Sequence, residues 1–251
     1  MHGFGAIVPP WSRGRLDPHA RHLRAHTLPA FAPNVPPYGT IEQRTDAWGE
    51  RLEVILEATG AERVNLIAHS MAGLDARWLV SVQGWHPRVA SITTISTPHR
   101  GSYLADLARR SLPPFRLLRG YMSLVGRLAY PRTPPKVAAA LKQLTPQHLQ
   151  TQFNPTVPDH PTVAYFCYDA RAGKNAPNPI TPVLWLQNRL LHAREGSNDG
   201  FVSQHSARWG EHLGTLDADH LQQVGVHLWP TRFQSQGFFL SVVERLAARG
   251  F

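Results

Sequence analysis

Cysteine is almost absent from this chain: Cys167 is the single one in 251 residues. One thiol excludes an intrachain disulfide and any zinc site built on cysteines. Its neighbours, Val163-Ala-Tyr-Phe-Cys-Tyr168, are apolar, which predicts a buried structural thiol rather than a reactive one. Long hydrophobic runs are missing as well. Nothing approaches the ~18 apolar residues of a membrane span. The N-terminus has no basic stretch followed by an apolar one, so no signal peptide is expected in the chain as it stands. Without disulfides the protein is free to be cytoplasmic, and a removed leader would make it secreted. Lysine is scarce: Lys136, Lys142 and Lys174 stand against 23 arginines, giving a formal charge of +9. Acidic residues are missing altogether between Asp106 and Asp159, a stretch that carries eight cations and leaves the rest of the chain close to neutral.

What is present describes one medium-sized domain. Apolar residues make up 42% of the chain and aromatics 9%, too much to leave it disordered. Thr40-Ile-Glu-Gln43 has the spacing of a capping box, and Ile41, Trp48, Leu52, Ile55 and Leu56 recur on one helical face up to Gly60. Arg63 to Ala68 reads as a short strand, and a helix follows from about Met71 to Val82. Val89–Ile95 is β-branched and predicts a buried strand, as does Val163–Tyr168. A last helix is expected over about Phe233 to Arg249. Strands alternating with helices imply a mostly parallel sheet covered on both faces.

One serine sits where a strand gives way to a helix, in Ile67-Ala-His-Ser70-Met-Ala-Gly73. A strained turn there would lift its hydroxyl above the sheet edge, the setting of a nucleophile elbow. The usual pattern is G-x-S-x-G. Here Ala68 and Ala72 take both glycine positions and Gly73 follows one place later, so close packing is kept but a left-handed backbone at either alanine would cost more.

The chain resembles the bacterial triacylglycerol lipases of the α/β-hydrolase superfamily. The resemblance rests on His2-Gly-Phe-Gly5, the Val64–Arg77 segment, Ser96-Thr-Pro-His-Arg-Gly-Ser102, Ser197-Asn-Asp-Gly-Phe-Val202 and Asp219-His-Leu221. It implies Ser70 as nucleophile, Asp199 as the triad acid and His220 as general base. The order Ser, Asp, His is the one this fold uses. Asp169, after the Val163–Tyr168 strand, is the alternative acid. The resemblance also implies the amides of Phe4 and Met71 as oxyanion donors. Only Met1 precedes His2, so the strand the family places before that loop is expected to be missing. Many members bind a structural calcium through an acid two residues after the catalytic histidine. Gln222 stands there, so neither calcium nor any other cofactor is expected. Asp75 and Arg77 are expected in internal polar pairing.

The acid-free stretch predicts a basic helical cap over about residues 103–158, apolar beneath and basic outside. Its stripe is Leu117, Tyr121, Leu124, Val125 and Leu128, with a second short helix at Lys136–Leu144. The expected activity is carboxylic ester hydrolysis, most simply of acylglycerols, with a carboxylesterase, a phospholipase or a polyester hydrolase using the same site. The cap's arginines would favour an anionic lipid interface. A basic binding protein or an inactive domain on the same scaffold is the reading from another class. Nucleic acid is not expected, because the basic residues are not interleaved with a known binding module. Oligomeric state is not legible.

Overall fold

Four parallel strands lie side by side in the order of the sequence: β1 (Val64–His69), β2 (Val89–Ile95), β3 (Ala164–Arg171) and β4 (Glu211–Asp217). The computed structural model describes residues 1–5, 16–110 and 113–251. The two central strands, β2 and β3, are short and buried along most of their length, as parallel strands covered on both faces require.

Two helical layers provide that cover. On one face α2 (Ile41–Thr59) and α3 (Ala72–Ser81) bring Leu52, Ala72, Ala76, Leu79 and Val80 against Leu66, Ala68 and Ile92. On the other, α1 (Asp17–Ala25) contacts α11 (Ser235–Ala247), which sets Phe239, Val242 and Leu246 on Ile95, Phe166 and Tyr168. Helix α2 begins at the expected capping box on Thr40 and Gln43 and stops at Gly60, whose φ of 67° no side chain would favour. Cys167 is buried, and burial pushes its thiol up.

Among the described residues no strand precedes β1. Instead the terminal amine of Met1 donates to the Ile67 carbonyl at 2.6 Å and His69 N–H donates to the Met1 carbonyl at 3.1 Å. This two-bond parallel pairing seats the following loop on the end of β1. A buried ion pair fixes that loop from the other side. Arg44 Nε donates to Asp75 Oδ2 at 2.8 Å, and the same guanidinium donates to the carbonyls of Pro36 and His2. Asp75 is therefore paired with Arg44, while Arg77 lies 3.7 Å from Asp159 and over the ring of Trp209. Both are internal, and neither pairs with the other.

The acid-free region is helical: α4 (Tyr103–Arg109), α5 (Pro113–Ala129), α6 (Val137–Gln143), and a run over 146–156 built from α7 (Pro146–His148), a wide turn (Leu149–Phe153) and α8 (Asn154–Thr156). Residues 111 and 112 of the expected cap lie outside the described residues. The expected orientation of α5 needs correction. Met122 and Val125 face inward onto Tyr38, Val137 and Leu141, whereas Leu117 (75% exposed), Tyr121, Leu124 and Leu128 face outward. The inner face is set by Gly126, where a Cβ would crowd Pro135 and Tyr38. The larger stripe is thus left to solvent.

Candidate active site

Ser70 closes the turn between β1 and α3 with φ of 58°, a left-handed conformation that costs a serine about 1 kcal/mol or more. Three bonds hold it there. Ser70 N–H donates to the Ile95 carbonyl at 2.9 Å, Thr97 Oγ1 donates to the Ser70 carbonyl at 2.7 Å, and Gly73 N–H donates to the same carbonyl at 3.1 Å. Ala68 and Ala72 are fully buried and keep ordinary φ, so the expected backbone cost at the alanines does not arise; it falls on Ser70 alone. Gly73 is the position that admits no side chain, since a Cβ there would collide with Thr94 and Thr97. The Ser96–Ser102 segment thus serves the site from beneath, as a clamp on the elbow.

The His2–Gly5 loop lies directly against this turn. A Cβ on Gly3 would come within 2.5 Å of Ser70 Cβ, so the backbone there approaches as only glycine permits. Phe4 packs edge-on to Tyr38, and Gly5 N–H bonds the Pro37 carbonyl. Among the described residues, neither the amide of Phe4 nor that of Met71 donates a hydrogen bond. Met71 follows Ser70 directly, and Phe4 follows Gly3, which lies against it.

His220 and Asp199 come together from loops that follow β4 and α9 (Trp185–Glu195). The His220 ring nitrogen Nδ1 is 2.7 Å from Asp199 Oδ2. Asp199 is fully buried, and its other oxygen accepts from the amides of Phe201 and Val202 at 2.9 and 2.8 Å. Burial alone would raise this carboxyl. The charge and hydrogen bond of His220 and the two amides outweigh burial and bring it down to about 2. His220 also lies against His69, the residue before Ser70, with ring centroids 4.4 Å apart, and against Phe201 at 5.1 Å. Asp169, the alternative acid, is engaged elsewhere: Arg208 Nε lies 2.6 Å from its Oδ2 and His212 at 3.4 Å.

Sequence reasoning missed Gln223. It is fully buried and donates from Nε2 to Asp199 Oδ2 at 2.9 Å. Its neighbour Gln222 accepts at Oε1 from Asn178 Nδ2 and from Asp219 N–H. Asp219 in turn accepts from Thr181, Leu221 and Gln222. Among the described residues no group of three His, Cys, Asp or Glu side chains is placed to hold a metal ion.

A family model described as alpha/beta hydrolase fold matches residues 1–125. Triacylglycerol lipase 2 of Saccharomyces cerevisiae is 30% identical over 92% of this chain and 72% of that protein. The triacylglycerol lipase of Pseudarthrobacter phenanthrenivorans is 38% identical over 42% of this chain, about a third (32%) of its own length. Among solved structures, Staphylococcus hyicus lipase superposes with a TM-score of 0.77 at 17% identity, covering 98% of this chain and 93% of that one. The chain belongs to the lipase family of the α/β-hydrolase fold. It is a carboxylic ester hydrolase. No helix among the described residues is long and apolar enough to cross a membrane.

Proposed function

We propose that this enzyme hydrolyses acylglycerol esters through Ser70, His220 and Asp199. The observation that carries the reading is the 2.7 Å Asp199–His220 bond beside the strained Ser70 turn. Asp199 occupies Nδ1, which leaves Nε2 of His220 to take the Ser70 proton as Oγ attacks the ester carbonyl carbon. The carbonyl oxygen gains negative charge and is received by the amides of Phe4 and Met71. As the tetrahedral intermediate collapses, His220 returns the proton to the departing alcohol oxygen. Water then repeats the sequence on the acyl-enzyme and releases the acid. No metal takes part, so EDTA leaves the rate unchanged.

Triacylglycerol is the substrate class named for the yeast and bacterial relatives. For this chain it fits the outward stripe of Leu117, Tyr121, Leu124 and Leu128, flanked by cations. Among the described residues none of Arg109, Arg110, Arg116, Arg119, Arg127, Arg132, Lys136 and Lys142 forms an ion pair. An apolar strip beside cations that form no ion pair suits an anionic lipid surface. Co-sedimentation with phosphatidylglycerol vesicles is expected to weaken as salt rises and to drop further in Leu124→Glu, while hydrolysis of a short soluble ester is unchanged.

A fluorophosphonate probe should form its covalent adduct on Ser70, located by peptide mass spectrometry. An adduct elsewhere, or none, would sink the reading. A p-nitrophenyl ester series from two to sixteen carbons then separates a lipase, whose rate holds for long chains, from a short-chain esterase.

A further inference from the structure

Gln223 lies outside the Ser-His-Asp set yet touches it, and its amide can be oriented by chemistry alone. Asp199 is ionised and can only accept, so the Gln223 group 2.9 Å from Oδ2 is the NH2. Its carbonyl Oε1 therefore faces Nε2 of His69 at 3.2 Å. An oxygen there needs a donor, so His69 carries its proton on Nε2 and leaves Nδ1 bare. Burial holds His69 well below the usual histidine range, with the charge of His220 adding to the effect, so the ring is neutral at neutral pH. The path runs from His69 to Gln223 to Asp199 to His220, and closes where His69 packs on the His220 ring. All four residues are buried.

We propose that Gln223 is a positioning residue that couples the strand bearing the nucleophile to the acid–base pair. Resting on the triad reading above, the relay gives Asp199 Oδ2 a second donor beside His220. That donor fixes the carboxylate plane and shares its charge. It also pins His69, the immediate neighbour of Ser70, in the orientation that supports the His220 ring. Among the described residues three side chains are seen against His220. Asp199 and Phe201 come from one loop, and His69 from the end of β1. Asp219 precedes it in sequence, but its carboxylate turns toward Thr181 and the amides of Leu221 and Gln222. The Met1 amine lies beyond His69.

The sign of the effect follows from charge sharing. Without the Gln223 donor, more of the Asp199 charge falls on His220, which favours the imidazolium form. The acid limb of kcat/KM should therefore move to higher pH. For Gln223→Leu we expect kcat about tenfold lower with KM within about twofold, and the limb about half a pH unit higher. Gln223→Glu keeps the shape and should move the limb further up as the new carboxyl ionises beside Asp199. In the wild-type enzyme, nitrogen NMR should find His69 as the neutral Nε2–H tautomer from pH 5 to 8, a reading that needs no variant. Limbs unchanged in both variants, or an Nδ1–H tautomer of His69, would overturn the relay while Ser70 still takes the fluorophosphonate. Failure of Ser70 to label in the wild type would overturn the triad, and the relay with it.

Discussion

Asp199→Asn should lower kcat for a soluble ester by about four orders of magnitude while leaving the protein folded. The reason lies in how the four donors around Asp199 are divided. Oδ1 receives the amides of Phe201 and Val202, and those backbone groups cannot turn away. An asparagine at this position must therefore place its carbonyl oxygen there. Its NH2 then occupies the place of Oδ2, opposite His220 Nδ1 and Gln223 Nε2. A donor facing Nδ1 forces the His220 proton onto Nε2, and that nitrogen can no longer accept the proton of Ser70. The imidazolium formed during attack would also lose its counter-charge. Fluorophosphonate labelling of Ser70 should slow in parallel, because it draws on the same base. Hydrolysis at wild-type rates in Asp199→Asn, with an unchanged circular dichroism spectrum, would remove Asp199 from the mechanism and reopen the choice of acid.

Local chemistry was legible in the sequence, and long-range pairing was not. Thr40 and Gln43 announce the start of α2 because a capping box is complete within four residues. The Ser70 turn is readable for the same reason: a strand, a small-residue turn and a helix follow one another without a gap. Asp199 and His220 could be named from short motifs, yet the bond between them joins loops 21 residues apart. Gln223 escaped notice because its meaning comes from His69, 154 residues away. Arg44 and Asp75 are 31 residues apart, and nothing near either one signals the other. The outward stripe of α5 was misread for a different cause. Periodicity finds an apolar face but does not say whether protein or solvent lies against it. Gly126 contributes to the decision, because its missing side chain lets α5 approach Tyr38 and Pro135 closely.

The folded protein should lose stability steeply as the pH falls from about 6.5. Three histidines are buried in the neutral form. His99 sits between Arg77, 3.4 Å from its Nδ1, and Thr94 Oγ1 at 3.2 Å from Nε2. Because arginine only donates, Nδ1 must stay bare, and a second proton there would face the guanidinium. Burial, followed by Arg77 and Arg100, holds His99 well below the usual range, and burial does the same to His69. His19 bonds Ser235 at 3.0 Å across the α1–α11 contact, and burial, with His22 and His227 adding to it, lowers it to about 4. In the unfolded chain all three return to about 6.5. Below that pH the unfolded state binds more protons than the folded one, so protons pull the equilibrium toward unfolding. Each histidine contributes up to about 1.4 kcal/mol per pH unit, so the three together approach about 4 kcal/mol per unit until His19 itself titrates. Asp199 extends the trend: held at about 2 when folded, it withdraws its own share of stability as the pH drops from about 4 toward 2. Thermal unfolding between pH 7.5 and 5 should show Tm falling by about 10 °C per pH unit below 6.5. His19→Gln, which keeps an amide for Ser235 but cannot titrate, should make that slope about one third shallower. A Tm that stays level down to pH 5 would mean that these rings accept protons inside the fold, at Nδ1 of His99 against Arg77 and at Nδ1 of His69 beside the nucleophile.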